Sequence, residues 1–375
     1  MLYLDHNATA PLHPAARAAW LDAHDRFPAN PASAHRLGQR ADFTLEAARE
    51  TLAALLDCPS QSLVWTSGAT EAAATILAHL AAVSPPEAPL WISAIEHPCV
   101  SEAAAYWFPN RVRELPVSPS GRLELAPLAG ALTGPRPAAV VLMAANNETG
   151  VLQPWQEALA ACRASGVPFV CDATQWLGRL PARGLGACDY LFASAHKCGA
   201  PVGIGFLKTN TPLGALLRGG AQEEGRRAGT RDVAGAVALV AALEACGERF
   251  QEVENRLALR AQVESELLRA APGARVLGAG VDRLWNTCTL LLPALGDCRQ
   301  RWVVRLDAAG VAASAGSACA SGQEKPSRVL AAMGVAAQES DRSVRFSAGW
   351  DTTPTDWAEL VRRTEAIWSR WGVRG

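Results

Sequence analysis

Between about residue 60 and residue 210 the chain repeats one pattern: a short run of consecutive apolar residues, then a longer stretch with apolar positions near helical spacing. Segments 63–66, 90–94, 111–117, 138–145, 168–172, 189–194 and 203–208 read as strands. Segments 38–58, 68–83, 123–132, 154–165 and a stretch opening at Pro98 read as helices. Strands that are apolar on both faces and alternate with helices are stable only in a mostly parallel sheet covered on each side. No helix is legible between the last two strands. From about residue 232 the texture changes. A long charged helical stretch (232–271) leads to strands at 284–292 and 343–346, with helices at 299–309, 327–333 and 355–371 and loops at 272–280 and 315–326. The expected fold is therefore α/β: a large domain (13–250) with a mostly parallel sheet flanked by helices, and a smaller α+β domain (251–375, with 1–12).

With 49% apolar residues and a net charge of −1, the chain is neither disordered nor broadly basic. Direct nucleic-acid binding is not expected. No apolar run reaches the roughly 18 residues of a membrane span, and the first residues lack the pattern of a signal peptide. A soluble, cytoplasmic protein is expected. Its 10 cysteines are scattered, without CxxC or a Cys/His cluster, so no metal is expected and most should be small core residues.

Lysine is the scarcest useful group, present only as Lys197, Lys208 and Lys325. Lys197 closes Ser194-Ala195-His196-Lys197, directly after an expected strand, where an amine can form a Schiff base with an aldehyde cofactor. Asp172 ends the preceding strand, at the strand edge where parallel sheets place ligands. There a carboxylate can hold the ring proton that makes pyridoxal phosphate an electron sink. Earlier still, Thr66-Ser67-Gly68-Ala69-Thr70-Glu71 joins a strand to a helix, whose free amides and positive dipole end suit a phosphate. Each segment alone has a plain structural reading: a capped helix, a strand-end cap, a surface lysine. Their conjunction in this order points to a pyridoxal-phosphate enzyme.

The same residues belong to a longer series: YLDHNATAP (3–11), NPASAH (30–35), TSGATEA (66–72), EHP (96–98), NNETG (146–150), DATQ (172–175), SAHK (194–197), GGAQEEGRRAGT (219–230), SAGSACASG (314–322) and VRFS (344–347). In order and spacing this series resembles the cysteine desulfurases of the NifS and IscS type, within the class V aminotransferases. The resemblance implies a pyridoxal-phosphate transferase fold of type I, in a homodimer that converts L-cysteine to L-alanine. By the same resemblance Lys197 is the Schiff-base lysine and moves the Cα proton, while His97 stacks on the cofactor ring and assists. Asp172 pairs with the ring nitrogen and Gln175 with the ring hydroxyl. Ala69, Thr70, Ser194 and His196 cradle the phosphate, and Thr230 reaches it across the dimer interface. Arg345 clamps the substrate carboxylate as a planar fork, helped by Asn147 and Asn7.

Cys319 matches the family's sulfur acceptor, and its own setting agrees. It lies in SAGSACASGQEKPS, a run of small and polar residues that suits an exposed loop and a reactive thiolate better than a core strand. The persulfide formed there implies a sulfur-acceptor protein: an iron–sulfur scaffold, a relay protein or a thiolation enzyme. Two positions depart from the pattern. Cys198-Gly199-Ala200-Pro201-Val202-Gly203 replaces a run that usually carries a second lysine, and Cys198 reads as a packing residue. Trp176 stands where a small residue is common and is expected to narrow the pocket. The competing readings are a selenocysteine or cystine lyase of the same fold, disfavoured by Cys319, and a weakly catalytic scaffold subunit, disfavoured by Lys197, His97 and Asp172.

Overall fold

The structure, a computed structural model, describes residues 1–296, 301–315 and 327–372. Its first half contains β1 (Leu2–Tyr3), α1 (Pro14–Arg26), α2 (Arg36–Leu56), β2 (Leu63–Thr66), α3 (Ala69–Val83), β3 (Leu90–Ser93), α4 (Pro98–Trp107) and β4 (Val112–Leu115). α5 (Leu125–Thr133), β5 (Ala139–Met143), α6 (Trp155–Ala164), β6 (Phe169–Asp172), β7 (Tyr190–Ser194) and β8 (Gly205–Thr209) follow. Next come β9 (Ala221–Gln222), β10 (Arg227–Ala228), α7 (Val233–Gly247), α8 (Val253–Ala270), β11 (Arg275–Val276) and β12 (Thr287–Leu291). The chain continues through α9 (Trp302–Ala308), β13 (Val311–Ala312), β14 (Ser314–Ala315), α10 (Arg328–Ala332), α11 (Ala337–Ser340), β15 (Ser343–Ser347) and α12 (Pro354–Trp371).

Seven strands form the large sheet in the order β2-β8-β7-β6-β5-β3-β4. β7, β6, β5, β3 and β4 run parallel, whereas β8 is antiparallel to both β7 and β2. The missing helix between β7 and β8 explains that reversal, because a parallel return needs a crossover of a dozen residues or more. Both faces of the sheet are covered. Phe169, Cys171 and Phe206 pack with residues of α2, α6 and α7, while Val170, Phe192 and Leu207 pack with α3 and α4. Phe169, Phe192 and Phe206 are almost wholly buried, each stabilising the fold by about 1.5–3 kcal/mol.

A second sheet, β11-β12-β15-β14, is antiparallel and packs with α8, α9 and α12 around Trp285, Trp302 and Phe346. β1 pairs with β13 beside it, and Leu4 joins the same core. The chain then crosses from this sheet to the large one: Asp5 bridges Ser347, Ala10 N donates to His196 O (2.9 Å), and His13 N donates to Gly199 O (2.8 Å). Residues 5–10 thus lie across the C-terminal ends of the parallel strands.

Three expectations change. The helical stretch 232–271 is two helices, broken by a single tight turn at Phe250–Glu252. α7 is buried on nearly all sides against the large sheet, while α8 faces the second core, so the chain must turn between them. Arg249 fixes the turn by pairing with Glu252 (2.8 Å) and Asp351 (2.9 Å). The loop expected at 272–280 contains β11, paired to β12. Finally, α1 was not legible, because it buries only Ala16 and Ala23 and carries little amphipathic signal.

Candidate active site

Where β5, β6 and β7 end, a cavity of about 480 Å³ opens between the two sheets. Its anion-suited end is the start of α3. Ala69 and Thr70 line the cavity in the first turn of that helix, where backbone amides lack intrahelical acceptors and the dipole is positive. Ser194, the last residue of β7, and His196, in the turn that follows, close this end, with His196 Nδ1 lying 3.1 Å from Thr9 Oγ1. The close approach depends on Gly205, where an added Cβ would sit 2.6 Å from Gly68 Cα and 2.6 Å from Ala193 O. A carboxylate in the same turn, Glu71, would oppose an anion. It is occupied instead: Oε2 accepts from Ser67 N (2.8 Å), and Arg227 pairs with both oxygens (3.0 and 3.2 Å). Although burial pushes the Glu71 carboxyl up, Arg227 and Ser67 hold it below its usual range.

The other end gathers Asp172, Gln175, His97 and Lys197. Register sets the first contact: Asp172 lies opposite Phe192, two residues before Ser194, so the strand-end carboxylate and the SAHK turn are neighbours. Asp172 Oδ1 accepts from Thr174 N (2.8 Å). Burial pushes its carboxyl up, against the pull of Thr174 and the Lys197 charge. Lys197 Nζ donates to Asn7 O (2.9 Å) and Ala8 O (2.5 Å). Gln175 Nε2 donates to the same Asn7 carbonyl (3.0 Å), leaving Gln175 Oε1 buried with no partner among the described residues.

His97 caps α4, its Nδ1 accepting from Cys99 N (3.1 Å). Burial and the Lys197 charge push its pKa down to about 4, so the ring is neutral with its proton on Nε2. His196 is likewise lowered to about 4, by burial first and then by Lys197 and His97. Behind His97, Glu96 Oε1 accepts from Ser93 Oγ (2.5 Å) and Met143 N (2.8 Å). Burial raises this carboxyl to about 8, which keeps it neutral. Sequence reasoning passed over Glu96 and Glu71. The one available signal was their adjacency to His97 and Thr70.

Arg345, on β15, enters from the second sheet. Nη1 donates to Asn147 O (2.9 Å), Nη2 pairs with Asp5 Oδ1 (2.8 Å), and Nε is buried without a partner among the described residues. Asn7 and Asn147 line the cavity beside it, joined by Asn7 Nδ2 donating to Asn147 O (3.2 Å). Of the expected site residues, Asn7, Ala69, Thr70, His97, Asn147, Asp172, Gln175, Ser194, His196, Lys197 and Arg345 therefore share one cavity. Thr230 does not. It is exposed, in a shallow groove with Phe27, Pro28 and Asp232. Cys319 lies outside the described residues.

Trp176 also departs from expectation. It lies outside the cavity lining, packs edge-on against Trp155 (5.8 Å), and donates from Nε1 to Pro181 O (2.8 Å). The turn after Asp172 directs it to the helix-covered face. Cys198 is buried, and burial pushes its thiol up to about 12, as suits a packing residue.

The donor set fits pyridoxal phosphate. A helix start with flanking hydroxyl and imidazole groups suits the phosphate. A buried carboxylate suits a ring N–H, the unpartnered Gln175 oxygen suits a ring hydroxyl, and an amine suits the aldehyde.

The family model for aminotransferase class-V matches residues 2–360. A cysteine desulfurase of Rhodobacter capsulatus is 38% identical over 369 residues, covering 96% of this chain and 94% of its own length. One from Enterobacter agglomerans is 34% identical over 384 residues, covering 99% and 95%. Among solved structures, a NifS-like protein superposes with a TM-score of 0.88 at 28% identity, covering 98% of this chain and 99% of its own.

Proposed function

The chain belongs to the aminotransferase class-V family, and on that premise we propose that it is a pyridoxal-phosphate-dependent cysteine desulfurase, converting L-cysteine to L-alanine with transfer of sulfur to Cys319. The observation that carries the reading is one cavity holding Lys197, Asp172 and Arg345 opposite the start of α3. These are an amine, a buried acid and a guanidinium at three corners of a site sized for a cofactor and a small amino acid.

When bound, the cofactor supplies an electron-withdrawing ring that accepts the negative charge left on Cα. The chain does the rest. Lys197 would hold the cofactor covalently and, as a free amine, would take the Cα proton. Asp172 would keep the ring nitrogen protonated, and the unpartnered Gln175 oxygen would accept from the ring hydroxyl. Ala69, Thr70, Ser194 and His196 hold the phosphate. His97, lining the cavity, would stack on the ring and offer an Nε2 proton. Arg345, anchored on Asp5 and Asn147, binds the substrate carboxylate beside Asn7. The Cys319 thiolate attacks the substrate sulfur; the C–S bond breaks, an S–S bond forms, and two protons, the one taken from Cα and the one given up by the Cys319 thiol, return to Cβ and Cα to complete alanine. Cysteine and a thiol enter, and alanine and a persulfide leave.

Thr230 is exposed and lies outside its own chain's cavity, which supports a homodimer in which each chain supplies Thr230 to its partner's phosphate. The persulfide then passes to an acceptor protein, an iron–sulfur scaffold, relay protein or thiolation enzyme, in the cytoplasm. Among the described residues no helix is long and apolar enough to cross a membrane. The test is alanine formation from L-cysteine by the cofactor-loaded protein. Activity in the wild type with loss in Lys197→Ala supports the reading, and an inactive wild type that binds the cofactor refutes it.

A further inference from the structure

Residues 5–10 separate two cavities. In front lies the site; behind is a cavity of about 500 Å³, lined by His6, Arg179, Cys198, Trp285 and Trp350 among others. Lys197 borders both. The backbone of Asn7 and Ala8 is thus a partition whose carbonyls hold the lysine amine from one side.

Arg179 holds the partition from the other side. Its Nη2 donates to Asn7 Oδ1 (3.2 Å) and His6 O (3.5 Å), and its Nη1 to Gln175 O (3.0 Å). Gln175 in turn donates to Asn7 O, the oxygen that also receives Lys197. Arg179 is 4% exposed and makes no ion pair among the described residues. Neutral oxygens satisfy its N–H groups without cancelling its charge, so its field acts at close range through a poorly screening interior. Burial lowers its pKa to about 10, which leaves it charged at neutral pH.

We propose that Arg179 is a positioning residue for Lys197: it fixes the Asn7–Ala8 backbone that aims the amine into the site, and its uncompensated charge lowers the proton affinity of the nitrogen Lys197 presents. This rests on Lys197 being the covalent attachment point of the cofactor. Other groups face the same nitrogen. Among the described residues Asp172 on β6 is the one carboxylate lining the front cavity and raises its proton affinity, while Asp351, Asp356 and Glu359 line the rear cavity that Lys197 also borders. His97 from α4 and His196 from the lysine's own turn are neutral, and Arg345 from β15 is a second cation, paired with Asp5. The Cys198 thiol is protonated and contributes no charge. Arg179 therefore offsets Asp172 from the side of the partition that substrate does not reach.

The experiment follows the visible absorption of the cofactor-loaded enzyme against pH, which reports the proton on the Lys197 nitrogen without turnover. Arg179→Gln retains donors toward Asn7 but removes the charge, and its midpoint should rise by about one pH unit. Arg179→Lys retains the charge, and its midpoint should stay within a few tenths of wild type. An unchanged midpoint in folded Arg179→Gln, or equal shifts in both variants, would overturn the proposal. Should Arg179→Gln not fold, Arg179→Met removes the same charge while keeping an unbranched side chain of similar length. A raised midpoint there supports the proposal and an unchanged one refutes it. A wild-type enzyme with no pH-dependent band attached at Lys197 would instead overturn the functional reading on which the proposal rests.

Discussion

Replacing Asp172 with Asn isolates the role of one charge. The side chain is 6% exposed, and its Oδ1 accepts from Thr174 N at 2.8 Å, a bond that the Asn oxygen preserves. What disappears is the negative charge that would hold the ring N–H. A hydrogen bond to a charged group contributes about 1.5–3 kcal/mol, and 1.4 kcal/mol is a factor of ten. Cofactor affinity should fall by roughly ten- to 140-fold, and because the site is buried, the upper half of that range is expected. Turnover should fall further, since the ring also loses its proton. The cofactor-free protein should respond oppositely. Burial raises the Asp172 carboxyl, so its ionised form destabilises the empty fold at neutral pH, and Asn removes that cost. Cofactor titration by absorbance, with melting curves for empty and loaded protein, reads both effects. Affinity within threefold of wild type together with normal turnover would refute the pairing of Asp172 with the ring.

Borohydride reduction of the loaded enzyme should fix the cofactor to Lys197 on peptide mapping; an adduct at Lys208 or Lys325 would overturn the site. Mixed dimers of Thr230→Ala and Lys197→Ala chains should regain activity that neither variant has alone, because one of their two sites is intact, and light scattering that showed a fully active monomer would contradict the shared site. Glu96 ionises near 4.5 when unfolded but near 8 when folded, so the stability it contributes is complete below 4.5 and is lost as pH rises through 8. Glu96→Gln keeps an oxygen for Ser93 and Met143 and lacks this loss. Its melting temperature relative to wild type should climb from pH 4.5 to 8 and level off above; a flat difference would show that Glu96 is ionised in the fold.

β3, β5, β6 and β7 were readable because each is a mostly apolar buried run, and β3, β6 and β7 end at a polar residue, as β6 does at Asp172. That pattern carries the sheet and two corners of the site with it. The helix start at Ala69 was readable for a similar reason, a hydroxyl-rich turn between strand and helix. Contacts made by backbone were not. Lys197 is held by the carbonyls of Asn7 and Ala8, and carbonyls leave no mark on residue type. α1 was hidden because alanines provide its buried face, and β13 and β14, at two residues each, are too short for any periodicity. The direction in which Trp176 turns depends on the local path of the chain after Asp172, which composition does not encode. Asp5 was read only as part of a motif, and its pairing with Arg345 depends on a crossing between sheets far apart in sequence.

The most direct test adds L-cysteine to the loaded enzyme and measures cofactor spectrum, alanine and protein-bound persulfide together, in wild type and in Cys319→Ala. Wild type should yield alanine and a persulfide that maps to Cys319. Cys319→Ala should still bind the cofactor and change its spectrum with cysteine, because Lys197, Asp172 and Arg345 are intact, yet make little alanine and no persulfide. Near-normal alanine with free sulfide from Cys319→Ala, or persulfide that persists in it and vanishes in Cys198→Ala, would contradict Cys319 as the sulfur acceptor.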